Sequence, residues 1–356
     1  MIVSNIQNPN IDRKEYWEFT KSYKMNDRNI LDGIIGIGKK EPISGPWRLT
    51  VWDSSNTDVN SGKVYVFSEE HHNEGSCPEY RHFSSIAKEI LDKTKGVHIL
   101  VENFIHANDL DNSRTGEKDP VHACAPVEEG ILNNLRNCLE VMRINKGYSM
   151  NESENRIHFI DPRVDMVSIL PDGKIFQAIT HYTEYNASKG NFSEAVLTIY
   201  EALVHPLSSL LPDKKNLKGR LVGSFDLFRS KMSLSQGETF DKVWKKDITG
   251  GIIDINSKYV NLMEKYVSNG KKNHNLEAFA SDVEDIKQCY KEFTNKFLDV
   301  WLLAHVFMIQ NTNTSNGMVM YLGSLHGIQI EHYLKSHGFD LLNKVENGDL
   351  DSCLTV

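Results

Sequence analysis

Long hydrophobic runs are missing from this sequence. No apolar stretch reaches the roughly 18 residues that a membrane-spanning helix needs, so no span is expected. Cysteine is scarce: Cys77, Cys124, Cys138, Cys289 and Cys353 are five, widely spaced and without a CxxC pair. That pattern argues against a disulfide framework or a cysteine zinc site. The expectation is five free thiols in a reducing, cytoplasmic compartment. Positive charge is not in excess either. The net charge of −8 argues against a dedicated nucleic-acid binder. The start, Met1-Ile2-Val3-Ser4-Asn5-Ile6, carries no basic segment followed by an apolar one, so no signal peptide is expected. Gly36-Ile37-Gly38-Lys39-Lys40 lacks the GxxxxGK[ST] spacing of a phosphate loop.

What is present is the composition of a globular protein, 40% hydrophobic and 25% charged over 356 residues, enough for one large domain or two ordinary ones. Abundant Asn, Lys and Ile suggest an AT-rich genome, that of a large DNA virus or a low-GC microbe. Residues 1–60 read as a polar, irregular extension packed on the core through Trp47 and Trp52. Residues 61–356 read as one α/β domain. Strands are expected at 63–68, 97–102, 156–161, 318–322 and 340–342. Helical spacing marks 79–94 (Phe83, Ile86, Ala87, Ile90, Leu91), 128–146 and 327–337. The first of these makes a βαβ unit with the strands on either side, which predicts a mostly parallel sheet. From about 190 to 312 the period is helical almost throughout, a large helical insertion. A polar loop at 107–126 is long enough to suggest function or disorder.

Two strands end alike. Val64-Tyr65-Val66-Phe67 runs into Ser68-Glu69-Glu70-His71-His72-Asn73. Met318-Val319-Met320-Tyr321-Leu322 runs into Gly323-Ser324-Leu325-His326. Each is a buried strand, a small residue that permits a sharp turn, two more residues and a histidine. Open α/β sheets bind ligands at their carboxyl edge, so the two histidines would sit where a site forms. The strand His98–Val101 adds Glu102 at its end, and 156–161 adds Asp161 and, just beyond, Arg163. Simpler roles compete with these. Six polar residues after a strand also describe an exposed loop, and Asp161 with Arg163 also describes a structural ion pair. His305, in an apolar helix, reads as a hydrogen-bonded core residue, and His181 as a surface residue.

The run Glu69-Glu70-His71-His72-Asn73, with Tyr80, Arg81 and His82 leading into a helix, resembles the opening motif of ChaN-like haem-binding proteins. The late Gly323-Ser324-Leu325-His326 strand end is similar to the wider superfamily of erythromycin esterases, ChaN and TraB/Tiki proteins. The resemblance covers 63–103 and 315–342. It implies a hydrolase site built from Glu69, His71, Glu102 and His326. Glu70 and His72 beside the first motif, and Asp161 and Arg163 by their strand-end position, are expected to support that site or contact the substrate. Ser68 replaces the family's glycine and His72 its aspartate. The family's arginine-containing helix motif is not evident; Asn295, Lys296 and Asp299 lie in a similar place.

Two imidazoles and two carboxylates suit Mn²⁺ or Zn²⁺, which would activate water. Without a metal the same groups suit general acid–base chemistry. The leading expectation is therefore a hydrolase of ester or peptide bonds, acting on a small-molecule or peptide substrate with or without a divalent metal. The altered motif and the insertion favour an alternative, an inactive relative that binds a partner or builds a structure such as a virion. Haem or another bound ligand ranks third.

Overall fold

The computed structural model describes residues 30–37, 39, 42–53, 62–70, 81–104, 120–125, 131–145, 156–162, 173–207, 228–268, 275–311, 317–347 and 353–356. Its centre is a six-stranded sheet. The strands in chain order are β1 Pro42–Ser44, β2 Arg48–Asp53, β3 Lys63–Glu69, β4 Arg81–His82, β5 Val97–Phe104, β6 Ile157–Asp161, β7 Gly317–Gly323, β8 Asp340–Glu346 and β9 Cys353–Thr355. The sheet order is β6-β5-β7-β3-β2-β8. β6, β5, β7 and β3 are parallel, and β2 and β8 are antiparallel additions at one side. The protein is α/β with a mostly parallel sheet. β1, β4 and β9 form a small separate sheet.

The parallel strands are apolar on both faces, as strands covered by helices on each side must be. Val64 and Val66 of β3 face one core together with Leu100, Met318 and Met320. Tyr65 and Phe67 face the other with Ile99, Val101, Val319 and Tyr321. β3 and β5, the two strands of the βαβ unit, are each paired to β7, which enters between them from the far end of the chain.

Helices α1 Phe83–Lys93, α2 Pro120–Ala123 and α3 Ile131–Asn145 follow β4 and β5. α1 buries Phe83, Ile86, Ala87, Ile90 and Leu91, the stripe read from the sequence. Each large side chain there contributes about 1.5–3 kcal/mol of burial. Ile90→Asp would set an unpaired charge into that face and break it. The Arg156 guanidinium fastens the end of α1 to β5 by donating to the carbonyls of Leu91, Thr94 and Val97 and to the Thr94 hydroxyl.

The helical region begins earlier than expected, with α4 Gly173–Ser188. It continues through α5 Phe192–Ile199, α6 Leu234–Val243, α7 Gly250–Met263 and α8 Leu276–Gln310. π-helical segments Tyr200–Val204, Trp244–Thr249 and Glu264–Ser268 interrupt it. α8 has 35 residues, about 50 Å at 1.5 Å per residue. Its first half is amphipathic. Its second half, from Phe297 to Phe307, is buried throughout, because it lies between the sheet and other helices. α9 Ser324–Ser336 follows β7 and packs on β3 and β7 with Ile330 and Leu334 in the same core. Gly338, at φ 81°, ends it in a left-handed turn that glycine adopts without strain.

Two expectations are corrected. Arg48–Asp53 lies within the stretch read as an irregular extension, yet it forms β2, between β3 and β8. Its alternation was hidden because Thr50 is buried too, donating to Glu331 Oε1 at 3.0 Å. Second, the cysteines are not all free thiols. Cys124 and Cys138 form a disulfide, with Cα atoms 4.6 Å apart. α2 and α3 pack against each other, a contact that a separation of 14 residues does not announce.

Candidate acid–base site

The strands that carry the twin motifs are neighbours in register, Phe67 beside Tyr321 and Glu69 beside Gly323. Gly323 itself has φ −60° and ψ 149°, an extended conformation open to any residue. The small residue that matters is Gly327 in α9. A Cβ there would lie 2.3 Å from Ser68 Oγ, so glycine lets the helix settle on β3. This seats the first turn of α9, with His326, over the carboxyl end of the sheet.

His326 is 7% exposed, Glu102 3% and Asp299 9%. His326 Nδ1 is 2.7 Å from Asp299 Oδ1. His326 Nε2 lies 3.9 Å from Glu102 Oε1. The Gly323 amide donates to Glu102 Oε2 at 2.8 Å, which fixes the carboxylate against the turn. The imidazole therefore stands between two buried acids from β5 and α8. A carboxylate on Nδ1 holds that nitrogen as the donor and leaves the Nε2 lone pair facing Glu102. Burial raises the Asp299 carboxyl above its ordinary range, the His326 hydrogen bond opposes that rise, and the charges of Glu102 and Asp247 add to it. Asp247 comes from the π-helical Trp244–Thr249 segment and accepts from the Tyr333 hydroxyl at 3.2 Å. Burial, then the charge of Asp247, raise the Tyr333 phenol so that it stays a donor.

Glu102 and His326, both expected at the site, come together. Glu69 and Glu102, expected to share a pocket, leave the sheet on opposite faces. Side chains alternate along a strand: Glu69 follows Tyr65 and Phe67 toward α1, and Glu102 follows His98 and Leu100 toward α8 and α9. Tyr321, on the Glu69 side, has its phenol pKa raised well above normal by burial and then by the Glu69 charge. Glu69 also accepts through its carbonyl from Ser324 Oγ at 2.7 Å, and Trp47 Nε1 donates to that hydroxyl at 2.8 Å. Asp161 is buried at the end of β6 on the Glu69 side by the same alternation. Glu70 is half-buried just past β3. His71, His72 and Arg163 lie outside the described residues.

Asp299 was not among the expected site residues. A signal for it existed: it is an acid within Phe297-Leu298-Asp299-Val300-Trp301, and a buried acid needs a partner. His305, one more polar residue in that run, has Nδ1 3.0 Å from the Trp301 carbonyl, and burial pulls its pKa down to about 4. It is the core histidine that its setting suggests. His98 Nδ1 and His158 Nε2 are 3.0 Å apart beside it. Among the described residues no group of three or more His, Cys, Asp or Glu is placed to hold a metal ion. Of the residues expected to hold a metal, Glu102 and His326 are brought together. Also among the described residues, no helix is long and apolar enough to cross a membrane. Comparison of the chain with protein-family models, characterised proteins and solved structures returned no match.

Proposed function

We propose that the chain is a hydrolase in which His326 is the general base. The observation that carries this is His326 held between Asp299 and Glu102 at the carboxyl ends of β5 and β7. Asp299 orients the ring. Nε2 takes a proton from water, and the imidazolium that results lies between two carboxylates. Glu102 accepts a hydrogen bond from the same water and directs its oxygen at the substrate. His326 then returns the proton to the leaving group. The resemblance of the two strand-end motifs to the erythromycin esterase, ChaN and TraB/Tiki superfamily supports an ester or amide carbonyl as the target. Mn²⁺ or Zn²⁺, held by Glu102 and His326, would make a bound water more acidic at the same place; haem ranks below either ion.

A screen of ester and peptide substrates tests the reading, with wild type and His326→Ala side by side. Turnover lost in the variant supports it; turnover that survives overturns it. The divergence of Glu69 from Glu102 favours a second reading, a relative that binds a partner or serves as a structural component without turnover. Absence of turnover across both substrate classes selects that one.

A further inference from the structure

Asp299 is one of two acids that the helical region turns toward α9. The other is Asp247, which accepts from the Tyr333 hydroxyl at 3.2 Å and takes no part in the steps above. His326 and Tyr333 are seven residues apart on α9. Seven residues make about two turns, about 10.5 Å along the axis, with a drift of only ~20°. The two donors therefore share one face of the helix, and each meets an acid of the helical region there.

The chain places Asp247 through a local irregularity. Phe240, Trp244, Ile248 and Ile252 recur at every fourth position and face the core that α8 shares. A regular α-helix would rotate such a row by about 40° at each step. The π-helical segment Trp244–Thr249 is closed by i→i+5 bonds, holds more residues per turn and offsets that rotation. The row stays on α8, with the Trp244 ring 6.2 Å from that of Phe297. Asp247, beside Ile248, is left on the flank that meets α9.

Elsewhere α9 is held by Ile330 and Leu334 in the core and by Glu331, which accepts from Arg48 and Thr50 of β2. Apolar packing is non-directional, and Glu331 ties the helix to β2 rather than to the helical region. The bond from Tyr333 to Asp247 is directional, is strengthened by the carboxylate charge, and lies on the Asp299 side.

We propose that Asp247 and Tyr333 are positioning residues of the acid–base site: their bond fixes the roll of α9, so that the His326 ring stays on Asp299 with Nε2 toward Glu102. The effect on turnover rests on the acid–base reading. The effect on the ring rests on the two acid–donor contacts alone.

The test follows the imidazole N–H proton of His326 by ¹H NMR in the full chain. A proton held between imidazole and carboxylate resonates far downfield, and its loss in Asp299→Asn assigns it. In Tyr333→Phe its exchange with water should quicken on the order of tenfold, the factor that one hydrogen bond to a charged group carries. Asp247→Asn, whose amide oxygen still accepts from the phenol, should stay close to wild type. Amide hydrogen exchange in 97–101 should match in all three proteins, which tells local loosening from a weaker fold. On any substrate that the screen yields, Tyr333→Phe should lower kcat by roughly tenfold to 10²-fold with KM unchanged. Equal proton exchange in wild type and Tyr333→Phe overturns the proposal, as does loosening that extends to 97–101. Exchange in Asp247→Asn as fast as in Tyr333→Phe overturns the role of the bond. Absence of any downfield proton that Asp299→Asn removes overturns the contact on which it stands. None of these outcomes needs turnover, so an inert protein refutes the hydrolase reading alone.

Discussion

Asp299 Oδ1 and His326 Nδ1, 2.7 Å apart, join the helix that precedes β7 to the first turn of the helix that follows it. The contact gives a buried acid its partner and gives the imidazole one tautomer.

Asp299→Asn keeps the shape and removes the charge. The amide can present its NH₂ to Nδ1 and favour the other tautomer, so Nε2 no longer accepts. Turnover of any substrate found should fall by about 10²-fold to 10⁴-fold, with a smaller change in KM. Steady-state kinetics on the purified variant measure this. An unchanged kcat would remove Asp299 from the mechanism.

Glu102→Gln tests the other side of the ring. The Gln carbonyl still accepts the Gly323 amide, and a desolvated charge is removed. Thermal and urea melts should show stability unchanged or higher by up to ~2 kcal/mol, while turnover disappears. A strongly destabilised variant would make Glu102 a structural acceptor.

Gly327→Ala sets a helix-propensity gain of about 1 kcal/mol against overpacking of typically ~1–3 kcal/mol. The Cβ would meet Ser68 Oγ at 2.3 Å and Ser68 Cβ at 3.3 Å, so overpacking wins and stability should fall. Ser68→Ala removes the nearer atom and should restore part of the loss. A double-mutant cycle measures the coupling; strictly additive effects would mean that the helix does not rest on this contact.

His305 bears on acid stability. Its folded pKa, about 4, lies below the ordinary 6.5, so the unfolded chain binds the extra proton between those values. Stability is complete above about pH 6.5 and is lost as pH falls toward 4, by up to ~3 kcal/mol from this residue. Urea midpoints at pH 7 and pH 5 should converge in His305→Gln relative to wild type. An equal acid loss in both proteins would assign the slope elsewhere, with the His98–His158 pair as the first candidate.

Some of this molecule was legible in its sequence. α1 showed itself because one helix face packs on one sheet face, and a 3.6-residue stripe records that. β3, β5 and β7 showed themselves as apolar runs because both of their faces are covered. Glu102 and His326 were legible as polar residues that end such runs. β2 was not, since Thr50 and Trp52 bury polar atoms in a hydrogen-bonded network that breaks the pattern.

By itself, the sequence determined the α/β class and the strands that carry the two motifs, because periodicity and strand ends are local properties of the chain. Only the tertiary structure decided who meets whom. It put β7 between β3 and β5, sent Glu69 and Glu102 to opposite faces, brought Asp299 to His326 and closed Cys124 on Cys138. Those are contacts between segments far apart in the chain or across a turn, fixed by packing and side-chain alternation, and no local pattern records them.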